Sequence, residues 1–507
     1  MLALFILVPL AALVLLNLPW GEVRKRLAFG LVLLLSLVQV GLVVLAGPAL
    51  RTAEALPMGL PFTLNLSATG LSLVLLLCIG IVLFVTLLVS RDTVADARRF
   101  RFVNLLLVAL TGMNGTVLAT DLFSLYVFLE IVSVSSFILI AFDRDLKGLE
   151  GAFKYLLLSA VATVLMISSI AVLLAVAGDV SFVTVAEALR GATLEGAASR
   201  TVARLAVGAF LCGLFIKGGL VPFHGWLLGA YSAAPASVSV LLAGVATKVS
   251  GIYALLRLSG LVFTPSQTAP VFSPSGPVGQ VLLLVGAASI IVGALAAIGQ
   301  TDMKRMLAYS SISQVGYIIL GLGCAVAAWG QYEATQSELA KHAAELAFAG
   351  AVFHLFNHAI FKSLLFVNSA ALEQRLGTTD MTRMGGLSPR MPSTGVTCLL
   401  ASLSTAGIPP LAGFWSKLLI IIALWQSGHT TYAGVAVLFS VVTLAYLLVI
   451  QRRVFFGKTP EELASVREAS LGLVLPAIVL AAVTVGVGLC FPFLYDTFLV
   501  PVGGFLK

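Results

Sequence analysis

Residues 211–227 read LCGLFIKGGLVPFHGWL, an apolar helix that takes in one lysine, Lys217, and breaks directly after it. Pro222 has no backbone N–H, and its ring meets the carbonyl four residues earlier, that of Gly218. The pliable Gly218-Gly219 pair therefore stands at the point of strain. Residues 404–421, STAGIPPLAGFWSKLLII, repeat the arrangement with Gly407, Pro409, Pro410 and Gly413 ahead of Lys417. Inside a bilayer, unwound backbone is tolerated only where protein or a wet cavity lines it. Each lysine therefore adjoins a polar interior.

The rest of the chain supplies the bilayer. Its 507 residues are 60% hydrophobic and 10% charged, with a mean hydropathy of +1.08, whereas a soluble protein carries about 25% charged residues. Runs long enough to cross as helices recur from Leu2 to Leu494 with no soluble domain between them. We expect fourteen, over 2–19, 26–46, 70–90, 102–119, 121–142, 154–177, 203–231 with a break, 236–259, 277–299, 306–328, 346–370, 393–426 with a break, 433–451 and 470–494. The fold class is an all-α polytopic membrane protein. The first run lacks a basic leader and a small-residue cleavage site, so we expect a retained helix.

A net charge of +8 raises the question of a nucleic-acid partner, but the charge is sorted by side. Of the 30 Lys and Arg residues, one set of alternate loops holds nineteen, from Arg24 to Arg467. The opposite set holds seven: Arg51, Arg190, Arg200, Arg204, Arg257, Lys341 and Lys507. This is the positive-inside signature, which makes the protein a multi-pass inner-membrane one with both termini outside the cytoplasm. No nucleic-acid partner is expected. The five cysteines are dispersed within helices with no metal-ligand spacing, and no glycine motif for a nucleotide is present. We expect no cofactor, no metal and no redox chemistry in this chain; any electron transfer belongs to another subunit.

The four lysines outside both sets, Lys217, Lys248, Lys362 and Lys417, fall inside helices. An ionisable residue at the bilayer centre costs about 2.5–3.5 kcal/mol and is a functional hypothesis by default. Glu130 lies nine residues beyond Asp121, about 13 Å deep at the α-helical rise, and Lys248 is about 18 Å beyond Ala236. For any one lysine, pairing with a carboxylate or snorkelling to an interface is an open alternative. As a set they outnumber Glu130, the one clearly deep carboxylate. Burial disfavours an ammonium and a neighbouring carboxylate favours it, so a lysine between the two tendencies can exchange a proton. In FHLFNHAIFKSLLF, residues 353–366, His354, His358 and Lys362 recur every four residues and share a helical face, as a proton relay would need.

Helices 4–8 and 9–13 form two groups of five, each with its broken member fourth. Because five is odd, the groups run oppositely across the membrane, as in the inverted repeats of ion transporters. The expected units are residues 1–101, 102–259, 277–456 and 470–507.

Six stretches, DLFSLYVFLEIVSVSSFILIAF, FIKGGLVPFHGWL, TKVSGIYALLRL, TDMKRMLAYSSISQVGYI, FNHAIFKSLLF and AGIPPLAGFWSKLLII, resemble the antiporter-like membrane subunits shared by complex I, membrane-bound hydrogenases and Mrp-type cation/proton antiporters. The resemblance runs from about Gly70 to Phe456. It implies fourteen helices with two inverted repeats, and a hydrated polar axis through Glu130, Lys217, Lys248, His354, His358 and Lys417 that carries protons. It also implies neighbouring membrane subunits, homologous antiporter-like ones among them. Lys417 and the stretch TLAYLLVIQRRVFFGK look most like the D-type Mrp subunit and its hydrogenase counterpart. Two features depart from the pattern. LGA follows HGWL where Pro and an acid are usual, and Ala236-Ser237 replaces a usual Thr-Pro pair. The resemblance implies a proton- or sodium-translocating subunit of a redox-driven complex, of complex I (NADH-quinone oxidoreductase) or hydrogenase type. The alternative is a subunit of a secondary Mrp-type antiporter with no redox partner. A structural scaffold also fits the fold, but it leaves the buried charges unexplained.

Overall fold

The computed structural model describes residues 1–19, 23–57, 63–190, 197–262 and 277–503. Among them, twelve helices are long and apolar enough to cross a membrane. They are α2 (Val23–Leu50), α3 (Gly70–Thr93), α4 (Asp96–Leu118), α5 (Leu122–Ile140), α6 (Leu146–Ala177), α8 (Ala197–Gly218), the continuous helix from α10 (Ala236–Leu241) to α11 (Ala254–Leu261), α12 (Pro277–Ile298), α13 (Met303–Thr335), α14 (Glu338–Leu376), α17 (Thr430–Ile450) and α18 (Leu471–Leu489). Two shorter apolar helices, α1 (Leu4–Asn17) and α16 (Ala412–Gln426), join them. The other helices of eight or more residues among the described ones are α7 (Phe182–Arg190) outside the spans, α9 (Gly225–Ala233) after the first break and α15 (Pro392–Ala406) before the second.

Side-chain caps fix several starts. Asp121, Asp145 and Asp302 each accept from the backbone N–H three residues on, and so block fraying at the membrane edge. Gly178 and Gly377 close α6 and α14 at φ +77° and +66°. α13 and α14 overrun the expected 306–328 and 346–370 because their polar ends stay helical, α13 from its Asp302 cap to Gln336 and α14 from its Ser337 cap to Gly377, beyond the reach of hydropathy. A hairpin of β1 (Ala53–Pro57) and β2 (Thr63–Ser67), with α7, fills connections that the sequence presents as loops.

Small residues set the packing. Gly279, Gly286 and Gly293 recur every seven residues along α12, and a Cβ on any of them would come within 2.5–2.9 Å of the α13 main chain at Ala327, Leu320 and Ser313. Close backbone approach of this kind is how helices associate where lipid gives no hydrophobic drive. The most apolar window of the α10–α11 helix is 100% buried, and those of α13 and α14 are 94% buried, against 28% for α2 and α6. The helices that carry Lys248, His354, His358 and Lys362 are therefore the core.

Arg257, counted with the loops although the expected span 236–259 takes it in, is buried within the α10–α11 helix. Its guanidinium donates to Val117 O at 2.6 Å, where α4 ends and its dipole is negative, and to the Tyr253 hydroxyl at 2.6 Å. The segment LLRLSG is helical and carries only Ser259 as a further polar side chain, so the span simply continues past the arginine. Cys78, Cys324 and Cys398 fill the interior as small hydrophobes, whereas Cys490 at the end of α18 is exposed.

Candidate functional site

The first break begins where α8 ends at Gly218; Gly219 takes φ +65°, and the chain turns helical again at Gly225. Trp226 Nε1 donates to Ile216 O at 2.9 Å, and the Trp226 ring stacks on Tyr155 with centroids 4.4 Å apart, so the second half folds back on the first. This holds Lys217, itself 1% exposed, with its ammonium pointed at α5 and α6. The Lys217 Nζ donates to Glu130 Oε1 at 2.9 Å, Ser133 Oγ at 2.9 Å and Ser159 Oγ at 3.2 Å. Thr163 Oγ1 donates to the same Glu130 oxygen at 2.8 Å. Ser133, Ser159 and Thr163 are not among the residues expected from the sequence. Their signal is there nonetheless: Ser133 follows Glu130 by three residues and Thr163 follows Ser159 by four, which places polar groups on facing helix stripes.

Lys248 lies where α10–α11 widens into π-helical turns, Leu242–Ala246 and Lys248–Tyr253. Its ammonium turns back to the carbonyl of Ala243. Single π-turns inside α-helices are frequent at functional sites, and apolar periodicity cannot reveal them. Two glycines press this segment onto its neighbours. A Cβ on Gly251 would collide with the Gly218 backbone, beside Lys217, and one on Gly244 would collide with Ser363 Oγ, beside Lys362.

Along α14 the expected stripe is present. The His354 and His358 rings lie parallel within 3°, with centroids 6.4 Å apart, and Lys362 Nζ donates to Leu307 O at 3.1 Å. His354 Nδ1 meets Ser416 Oγ at 2.8 Å. Both nitrogens of His358, Nε2 of His354, and the Ser363 and Ser369 hydroxyls are buried and have no hydrogen-bond partner among the described residues.

The second break runs from Ala406, where α15 ends, through Gly407 at φ +88° to Ala412, where α16 begins. Lys417 Nζ donates to Thr405 O at 2.9 Å and Ala406 O at 3.4 Å, so its charge caps the negative end of α15. It also stands 4.3 Å from the centroid of the Tyr317 ring, a cation–π contact that the sequence does not disclose. No carboxylate lies within ion-pair distance of it among the described residues. Lys217 precedes its break and Lys417 follows its own, so the two positions are not equivalent along their helices.

The structure thus brings Glu130 to Lys217, His354 to the residue preceding Lys417, and the helices of Lys248 and Lys362 into contact. On the side of the basic loops, a polar cavity of about 920 Å³ opens between the ends of α9 and α14, with Glu150, Lys154, Lys304, Glu373 and Asp380 in its wall. The Lys304–Glu373 ion pair, 2.7 Å, lies in it.

Residues 119–443 match the family described as NADH:quinone oxidoreductase/Mrp antiporter, TM. The chain is 32% identical to the D-type Na(+)/H(+) antiporter subunit of Alkalihalophilus pseudofirmus, over 84% of this chain and 80% of that one. It is 34% identical to the N-type NADH-quinone oxidoreductase subunit of Desulforudis audaxviator, over 71% of this chain and 66% of that one. Among solved structures, a chain of the Mrp complex from Dietzia sp. superposes with a TM-score of 0.84 at 25% identity, over 100% of this chain and 96% of that one.

Proposed function

The chain belongs to the NADH:quinone oxidoreductase/Mrp antiporter transmembrane family as an antiporter-like membrane subunit, and from that premise we propose that it carries protons along Glu130, Lys217, Lys248, Lys362, His358, His354 and Lys417. The observation that carries this proposal is the succession of contacts from one break to the other. Lys217 touches Glu130, Gly218 meets Gly251 in the helix of Lys248, Gly244 meets Ser363 beside Lys362, and His354 meets Ser416 beside Lys417. Buried polar atoms are normally hydrogen-bonded, to protein or to ordered water. The histidine nitrogens without protein partners are therefore places for water in a relay.

The finer architecture belongs to the same proposal. With α1, and with α15 and α16 taken as one broken span, the helices number fourteen. Helices α4–α11 and α12–α17 then read as inverted repeats in the cytoplasmic membrane, with both termini outside. The Glu130 side chain is 27% exposed. Contact with lipid at that depth is costly, so this opening is read as a junction with a neighbouring subunit. The assembly is a redox-driven one of complex I or membrane-bound hydrogenase type. A second reading, a secondary Mrp-type antiporter, draws on the likeness to a D-type antiporter subunit; the subunits that co-purify with the chain separate the two. Whether sodium replaces the proton depends on oxygen ligands along the axis, and ion-replacement transport assays decide that.

The experiment is Lys217→Ala in the assembled complex. Transport is expected to be lost while the subunits still co-purify. Near-normal transport by the assembled variant would overturn the proposal.

A further inference from the structure

Outside the axis, three arginines meet at one membrane border. Arg98, Arg101 and Leu105 share a face of α4, spaced by three and four residues, and Ile138 and Ala141 share the facing end of α5. With Phe142 and Arg144 they enclose a cavity of about 290 Å³. Arg144 takes φ +60°, an uncommon conformation for a residue with a side chain. Arg98 is committed: it pairs with Asp143 at 2.8 Å and lies 5.6 Å from the centroid of the Phe142 ring. Arg101 and Arg144 are exposed, and among the described residues their side chains make no ion pair or hydrogen bond.

Below the arginines the surface changes character. Ile138, Val134, Val127 and Phe123 are exposed and fall on one stripe of α5, spaced by four, seven and four residues. Glu130 lies at the edge of this stripe, turned towards Lys217 and Thr163. Two uncompensated guanidiniums at the border, followed by an apolar track towards the membrane centre, follow the order of chemistry along a phospholipid. The border is on the side of the basic loops, where basic pockets between helices bind anionic headgroups. We propose that this groove is a binding site for an anionic phospholipid, its phosphate held by Arg101 and Arg144 and an acyl chain lying along Ile138 and Val134. Arginine suits the role because its planar donor fork matches phosphate oxygens in pairs.

The test is native mass spectrometry of the full chain in mild detergent, titrated with phosphatidylglycerol, cardiolipin or phosphatidylcholine. Anionic lipid is expected to bind and phosphatidylcholine not, and Arg101→Gln is expected to lower occupancy roughly five-fold, with Arg144→Gln lowering it similarly again. Millimolar inorganic phosphate should fail to displace the lipid, because it lacks the acyl chain; displacement would make the site one for free phosphate and overturn the proposal. Unchanged occupancy in the double variant, at an unchanged melting temperature, would also overturn it. So would a double variant that keeps its lipid but loses a co-purifying subunit, since the arginines would then be a protein contact. If the double variant does not fold, Ile138→Glu, which blocks only the acyl track, is expected to lower lipid occupancy, and normal occupancy there would contradict the site.

Discussion

Lys217 and Lys417 keep their charges buried by different means. Lys217 faces a carboxylate and two serine hydroxyls, whereas Lys417 has only main-chain carbonyls and an aromatic face. Removing one partner of a buried ion pair leaves the other charge uncompensated, at a cost of about 3–5 kcal/mol. Glu130→Leu should therefore destabilise the fold by about 3 kcal/mol in a thermal unfolding assay, at the low end because Glu130 is partly open. Glu130→Gln keeps the shape and the Thr163 contact but removes the charge that holds a proton on Lys217. It should slow transport and change its pH profile; an unaltered profile would contradict the coupling. At the other break, an arginine can reach the Thr405 carbonyl but never gives up its proton. Lys417→Arg should block transport nearly as fully as Lys417→Ala, measured as ion flux into vesicles that hold the assembled complex.

At the scale of elements, the two contacts that carry the axis into and out of the Lys248 helix are made by glycines, Gly251 and Gly244. A methyl on Gly251 would meet the backbone of Gly218, which cannot swing aside as a flexible side chain would. Gly251→Ala should cost about 1–3 kcal/mol, as overpacking does, and should impair transport with every charged residue in place. Elsewhere a buried polar knot helps to tie the N-terminal helices to the rest. Gln39 and Asn114 exchange amide hydrogen bonds at 3.1 and 2.9 Å, and Asn114 also donates to Phe5 O. Asn114→Ala should loosen α1 and α2 by about 0.6–1.7 kcal/mol, the range of hydrogen bonds between membrane helices, read as earlier proteolysis or a lower melting temperature. Much of the candidate site is legible in the sequence, because charge in an apolar run and Gly-Pro breaks are strong local signals. The π-turns around Lys248, the Tyr317 face under Lys417 and the burial of Arg257 are not. Each depends on which helices meet, and hydropathy along one chain does not carry that.

For the whole molecule, the spans are legible wherever twenty apolar residues stand together. Their ends are less so, since α13 and α14 continue into polar caps. The sorting of basic residues to alternate loops predicts where the termini lie. A reporter that is active only in the cytoplasm, fused at the C-terminus, should stay inactive, and activity there would reverse the proposed orientation. The central claim is that the two breaks act as one conductor, and Lys248 sits between them, held by the π-turns and far from any loop. The most direct measurement is coupled ion transport by the assembled complex carrying Lys248→Met, which preserves the volume and removes the titratable group. Transport should fall to the background of uncoupled vesicles while Glu130, Lys217 and Lys417 stay in place; transport at the wild-type rate would mean that the two breaks conduct without Lys248.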